Sequence, residues 1–494
     1  MTTISSRPAM SLLRDTSQEG ASRPGFVHRY FPLASAMMLT TVLAMAFFVD
    51  VSSDGKAMMA LGALAAILGT YLATSQPNRF PLLLIAYLPY NAAYPAALAG
   101  SSSLNLTNLL IGLSLVAMMT APRRRGEFAA VEYLLITFMA FGVLGFFTTL
   151  SAHHWSELAM HLFRFKRWLT PFLLFFLVRR VARDRDDLFD MIVALVWTAS
   201  LVGAATWWVG TESGRSSIDR SRVGGILGQA NSMGAFLVYY SLPAFAFFAR
   251  TKRRSTRFLS LAAFLLMVRG MLFTMSRGAY LALASGVASV LLFRSPLYLI
   301  LAGASVFGAT QYASWLLPSS VLSRLGATKE PGIYDESLAG TLDKSSQQRL
   351  MLWTAGTEMI DDNKWRGVGL GRFHEVVDDY MPEPLDEDDP RDAHNAYVLA
   401  TAEMGIPAGV TMVLLFLSIA GASLAQYFRR PLDFDRCLAL GVLASLVGLA
   451  ASCVFGSRFS DENLMGEFWV LVGMLRVLKD LPPAAEADAP EPAS

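Results

Sequence analysis

The chain has 494 residues, 54% of them hydrophobic, with a net charge of only +2 and a mean hydropathy of +0.43. This balance excludes an ordinary soluble domain and gives no footing for a nucleic-acid partner. It points instead to repeated apolar segments of about 17–25 residues, the length that crosses a hydrocarbon core.

The start, MTTISSRPAMSLLRDTSQEGASRPGF, lacks the compact apolar core and cleavage site of a signal peptide. Residues 1–30 and 481–494 read as disordered cytoplasmic tails. Between them the sequence predicts an all-α polytopic membrane protein with about 12–14 transmembrane helices. Fourteen candidate spans fall at 33–49, 57–74, 82–99, 104–120, 129–150, 168–180, 188–209, 230–249, 258–275, 279–293, 297–317, 396–425, 437–456 and 464–478. Pro89 and Pro95 interrupt the third, and the sixth is short. The expected organisation is a helical bundle over 31–317, a loop or cap over 318–395, and C-terminal membrane helices over 396–480.

Basic clusters follow the fourth, sixth, eighth and twelfth spans: Arg123 to Arg125; Arg179, Arg180, Arg183 and Arg185; Lys252, Arg253, Arg254 and Arg257; Arg429, Arg430 and Arg436. With a cytoplasmic N-terminus all of them lie on the cytoplasmic side, as the positive-inside rule requires. Both termini are then cytoplasmic. The segments 151–167, 210–229, 276–278 and 318–395 face outward. The last is too long for a simple connector. It carries its own helix signal, SSQQRLMLWTAGTEMI, with capping-box spacing between Ser345 and Gln348, and with Arg349 and Trp353 on one face. Cys437 and Cys453 lie at opposite ends of one span and are not expected to pair.

Four features converge on the outward side. RVGGILGQANSMGAFL brings Arg222 and Asn231; TMSRGAYLA brings Arg277; the loop helix brings Arg349, followed by WRGVGLGRF; DAHNAYVLATAEMGIPAG brings His394 and Asn395, with Glu403 deeper. Taken singly, each has an ordinary explanation. An outward arginine is commonly solvated or in contact with lipid headgroups, and a G-x-G-x-G run is commonly a turn. His153, His154 and His161 read as parts of an amphipathic interfacial helix, and His374 as one of a solvated charged group. Arg269 and Glu403 are expensive in lipid and are expected to face the bundle interior or a wet cavity, with Glu132 and Glu467 as further partners. Taken together, several arginines and a histidine suit an anionic, lipid-held substrate attacked by a hydroxyl. Arginine grips phosphate oxygens bidentately, and histidine accepts a proton near neutral pH. The D-x-D-like pieces lie on the cytoplasmic side and no phosphate-binding Walker loop occurs, so neither a metal nor a cofactor is expected.

The same motifs, in this order and around one long loop, resemble the O-antigen ligase and Wzy polymerase superfamily over roughly residues 220–425. The resemblance implies a metal-independent, inverting glycosyltransferase of the GT-C kind in the bacterial inner membrane. It would use an undecaprenyl-diphosphate-linked glycan at the periplasmic face. It implies His394 as general base or acceptor-orienting group, Arg222, Arg349 and Arg277 as diphosphate-binding residues, and Asn395 as a partner of His394 or of sugar. Asn231 stands in a Gln-Ala-Asn group where members often carry Asn-Pro-Asn, and Glu403 is secondary. The acceptor is lipid A-core for a ligase, a glycan end for an O-antigen or exopolysaccharide polymerase, or a protein hydroxyl for an O-oligosaccharyltransferase. Membrane lipids and a chain-length regulator are the other partners the family suggests. A transporter or flippase for lipid-linked sugar is the rival from another class; it calls for two related halves with interrupted helices, and no internal repeat is seen.

Overall fold

The structure, a computed structural model, describes residues 26–49, 55–91, 93, 105–122, 126–212, 222–310, 344–382 and 391–482. The two predicted tails lie almost wholly outside these residues, as do the triple arginine at 123–125 and much of the predicted 318–395 loop. Every element described is helical. In chain order they are α1 (Phe26–Val49), α2 (Gly55–Ser75), α3 (Phe80–Tyr87), α4 (Leu106–Thr120), α5 (Ala130–Ala152), α6 (Leu158–Val181), α7 (Arg185–Glu212), α8 (Ala230–Arg250), α9 (Arg254–Phe273), α10 (Arg277–Arg294) and α11 (Pro296–Thr310). There follow α12 (Lys344–Asp362), the single turn α13 (Phe373–Val376), α14 (Ala396–Met404), α15 (Ile406–Arg429), α16 (Asp433–Cys453) and α17 (Glu462–Asp480).

Six of these, α5, α7, α8, α9, α15 and α16, are long and apolar enough to cross a membrane by length and composition. The protein is an all-α polytopic membrane protein. A helix apolar on all sides belongs in the middle of such a bundle, and α8 is the clearest case: Phe236, Leu237, Tyr239 and Tyr240 are completely enclosed. It packs against α9, α10 and α16. Helices approach most closely where side chains are absent. A Cβ on Gly270 of α9 would come within 2.4 Å of the Gly203 carbonyl oxygen on α7.

The structure departs from the predicted spans in three places. The third span breaks at Leu88, where α3 gives way to a 3-10 turn, Leu88–Tyr90, and most of its remainder lies outside the described residues. The sixth is much longer than expected, because the basic stretch HLFRFKRW continues one helix, α6, through Pro171. The twelfth is two helices, α14 and α15, hinged at Gly405, whose φ of 86° ends the first and whose Pro407 begins the second.

At one end of the bundle, segments 344–382 and 391–404 form a cap with its own small core of Leu352, Ala355, Met359, Val368, Phe373, Val377, Ala393 and Ala402. The run Gly367-Val368-Gly369-Leu370-Gly371 fastens it. All three glycines have positive φ. Val368 N–H donates to the Ala402 carbonyl (2.9 Å), Gly369 to Glu403 (3.0 Å) and Leu370 to Gly145 on α5 (3.1 Å). A Cβ on Gly367 would stand 2.3 Å from the Glu403 backbone. The run is a docking turn, not a phosphate cradle. Cys437 and Cys453 are both free and buried.

Candidate functional site

Five separate pieces of chain meet beneath the cap. The segment before α8 supplies Arg222, and the first turn of α8 supplies Asn231. The α9–α10 turn supplies Ser276 and Arg277, and α12 supplies Gln348 and Arg349. His394 comes from the approach to α14, and Ser452, Phe455 and Arg458 come from the end of α16 and the turn after it. Together they line a cavity of about 210 Å³. Among the described lining residues there are four arginines and no carboxylate. The N-terminus of α10, capped by Ser276 accepting from Ala279 N–H, opens at the same place and adds its positive end.

The arginines are held rather than loose. Arg222 donates through Nε to the Thr274 carbonyl at 3.1 Å and through Nη2 to Asn231 Oδ1. Arg458 Nη1 donates to Ser232 Oγ at 2.8 Å. These neutral partners aim the two guanidinium groups.

His394 sits where the backbone is unusual. Met275 and His394 are the two non-glycine residues with positive φ among the described residues, at 49° and 48°, and both line this cavity. Such conformations persist only where the surroundings enforce them. Next to His394, Ala393 is buried in the cap core, and its carbonyl accepts from Trp353 Nε1 at 2.9 Å. Arg349 and Trp353 thus point the same way, toward the His394 segment. The imidazole Nδ1 lies 3.3 Å from Asp392 Oδ2, and the other Asp392 oxygen accepts from Ser457 Oγ. Burial pushes the histidine below its ordinary value of 6.5; Asp392 opposes this, while Arg349 and Arg458 add to it. The ring is therefore neutral at pH 7, with Nδ1 next to a carboxylate and Nε2 left to accept a proton.

Of the residues singled out from sequence, Arg222, Asn231, Arg277, Arg349 and His394 are brought together. Asn395 and Glu403 are not among the lining residues. Asn395 Oδ1 is committed to capping α14, accepting from Tyr397 and Val398 N–H at 3.0 and 3.1 Å. The orienting contact to His394 comes from Asp392 instead. Glu403 is buried under the docking turn, with Oε1 accepting from Phe373 N–H at 3.1 Å. Burial raises its carboxyl to about 7. It lines a neighbouring, wider cleft of about 640 Å³, together with His161, Arg164, His374 and Ser232. Arg269 is not interior: it is exposed near the end of α9, over the rings of Phe273 (4.7 Å) and Trp207 (5.8 Å). Glu132 pairs not with Arg269 but with Arg179 (2.7 Å) and Arg476.

Arg458, Gln348 and Asp392 were missed. Arg458 was visible as a basic residue on the outward side just after the thirteenth span. Gln348 stands out in the sequence only as a capping partner, and Asp392 only as the residue that opens the DAHN stretch.

The fold and cavity define a membrane protein that gathers positive charge and a neutral histidine under a cap at one end of its bundle. Residues 224–413 match the family model described as O-antigen ligase. The matched stretch contains Asn231, Arg277, Arg349 and His394; Arg222 lies just upstream of it and Arg458 beyond it. No curated protein matches the chain.

Proposed function

We propose that the protein transfers a glycan from undecaprenyl diphosphate to an acceptor hydroxyl at the periplasmic face of the bacterial inner membrane. The observation that carries this reading is the cavity in which four arginines surround His394, with no carboxylate among its described lining residues. At about 210 Å³ it is smaller than the roughly 300–1,000 Å³ of pockets for drug-sized ligands, so it suits the reacting linkage rather than a whole glycan.

In this mechanism the acceptor O–H gives its proton to His394 Nε2 as its oxygen attacks the anomeric carbon. Asp392 keeps the imidazole in the tautomer that accepts, and stabilises the imidazolium that forms. The bond from the anomeric carbon to the diphosphate oxygen breaks on the opposite face, which inverts the configuration. The electron pair leaves with the diphosphate, whose oxygens gain charge where Arg222, Arg277, Arg349 and Arg458 are aimed. The arginines supply the positive charge that a divalent ion supplies in other transferases, so no metal takes part in the step.

Sidedness rests on the basic clusters that follow the sixth, eighth and twelfth predicted spans, at the end of the bundle away from the cap. The test uses purified protein in nanodiscs with EDTA, an undecaprenyl-diphosphate glycan, and either lipid A-core or no added acceptor. One discrete shift onto lipid A-core identifies a ligase, and a ladder from donor alone identifies a polymerase. Donor crossing a vesicle membrane with no product in either lane makes the arginines a transport site and overturns the proposal.

A further inference from the structure

The hairpin between α5 and α6 carries a second group of chemistry-bearing side chains, away from the arginine cavity. His153 ends α5, Glu157 precedes α6 and His161 lies in its first turn. One ligand atom from each lies within 4.8 Å of the others. We propose that these three residues bind a divalent transition-metal ion of the zinc class, which fixes the hairpin against the cap. This does not rest on the transferase reading.

The argument comes from hydrogen-bond accounting. His153 Nδ1 is 2.9 Å from the Thr149 carbonyl oxygen. A carbonyl only accepts, so Nδ1 carries the proton and Nε2 of the neutral ring presents a lone pair. This is the backbone-carbonyl contact that commonly orients a metal-binding histidine. Nε2 faces Glu375 Oε2 at 3.1 Å, so a lone pair meets a carboxylate unless a cation stands between or beside them. A proton would satisfy His153 alone. It would not account for His161, which is 3% exposed and whose Nε2 has no hydrogen-bond partner. That nitrogen is 3.6 Å from Glu157 Oε2, beyond hydrogen-bond reach, and the two imidazole rings are only 4.3 Å apart. Leaving a buried polar atom unpaired is costly, and a single ion bound by both histidines and Glu157 removes both difficulties at once.

Two nitrogens and a carboxylate are a common zinc set, at about 2.0–2.2 Å from the ion. In a tetrahedral set, ligands at that distance stand about 3.3–3.6 Å apart, so a pair near the 4.8 Å limit must close by roughly 1 Å or somewhat more. Glu157 is about half exposed and free to do so. Glu375, on the cap, is already shared by Arg372 (3.3 Å) and Arg164 (3.4 Å). It acts as the anionic neighbour that keeps these two cations from opposing the ion, and the fourth position is left to water. Because His161 also lines the wider cleft, the ion would hold one wall of that cleft against the cap.

The test uses the full chain in detergent, stripped with chelator, desalted and titrated with Co²⁺. The expected result is one equivalent bound, with the intense visible d–d bands of a four-coordinate nitrogen–oxygen site, bleached by Zn²⁺. Zn²⁺ should also raise the melting temperature of the stripped protein, since an ion that binds only the folded state stabilises it. His161→Ala and His153→Ala should each weaken Co²⁺ binding by more than the roughly 10–100-fold typical of losing an outer-shell partner. If His161→Ala does not fold, His153→Ala and the half-exposed Glu157→Gln carry the test. A spectrum no different from the free aqueous ion, or unchanged affinity in the folded variants, overturns the proposal.

Discussion

Arginine is abundant at both ends of this bundle, and the two ends treat it in opposite ways. Away from the cap, several arginines are answered by charge or by a helix end. Arg185 meets Asp435 at 3.0 Å, Arg79 meets Asp187 at 3.4 Å as well as Asp190, and Arg179 and Arg476 share the buried Glu132. Arg430 donates to the carbonyls of Leu478, Lys479 and Leu481, closing the C-terminal end of α17. Under the cap, four arginines line one cavity with no carboxylate among the described lining residues, and the recorded bonds of Arg222 and Arg458 go to amide, hydroxyl and carbonyl oxygens. Neutralised arginines hold helices together. Arginines gathered around one cavity make a positive field there, and an anion is what that field selects.

The sharpest way to break this contrast is to remove the one titratable group inside the field. His394→Ala should leave the protein inserted and its melting temperature unchanged, while transfer falls by about 10²–10⁴-fold, the range for a general base. Full transfer by a well-folded His394→Ala protein would falsify the assignment. Exchanging arginines between the two ends is the next test. Arg349→Ala and Arg222→Ala should each lower kcat/KM by about 10²–10³-fold, as for loss of one preorganised donor to a developing oxyanion. Lysine should recover little of it, because a point charge does not reproduce the bidentate fork. At the other end, Glu132→Ala leaves the Arg179 side chain without its carboxylate and Arg476 with Asp480 alone. It should cost about 3–5 kcal/mol of stability, read as melting temperature, with the transfer rate per folded molecule unaltered.

The part of this contrast that the sequence carried was charge and its order along the chain. Arg222, Arg277 and His394 stand out because each sits at the outward end of an apolar run, and Arg349 because it lies on the helix of the outward loop; one solvated residue there needs no explanation, but four together do. What escaped was geometry that short-range patterns do not encode. Asn395 looked like the partner of His394 by adjacency, yet its oxygen caps α14, and Asp392 reaches back because His394 adopts a positive φ. The hinge at Gly405 was spelled out as Gly-Ile-Pro, but the flanking residues are apolar enough to read through it. Arg269 was expected inside because lipid is hostile to charge; four residues from the helix end, it instead lies across aromatic rings and extends toward the interface.

Asp392 gives a finer test. Its carboxylate raises the His394 pKa against burial and the two arginines, so Asp392→Asn should lower that pKa further. In the wild-type protein the acid limb of kcat/KM should inflect below pH 6.5, with transfer rising as the imidazole loses its proton. In Asp392→Asn the limb should move to still lower pH, and the plateau should drop by about 10–100-fold as the ring loses its orientation. A drop in plateau with no movement of the limb would mean that Asp392 organises the cap without acting on the histidine.

The smallest effect separates the cavity from the turn that holds the cap over it. Glu403 is held at about 7 in the folded protein, against an ordinary value of 4.5, because it is enclosed beneath the glycine turn. Between those values the folded chain keeps a proton that the unfolded chain has released. Folding therefore takes up a proton, and stability falls as pH rises from about 4.5 to about 7; below that window the contribution is fully present, and above it the loss is complete. Glu403→Gln keeps an oxygen for Phe373 N–H and removes the titration. Melting temperature should then lose most of its slope across this window, a change on the order of 1–3 kcal/mol, while the acid limb set by His394 stays where it was. If Glu403→Gln moved that limb instead, the carboxyl would belong to the chemistry, and the separation between a cap that is fastened and a cavity that reacts would have to be redrawn around it.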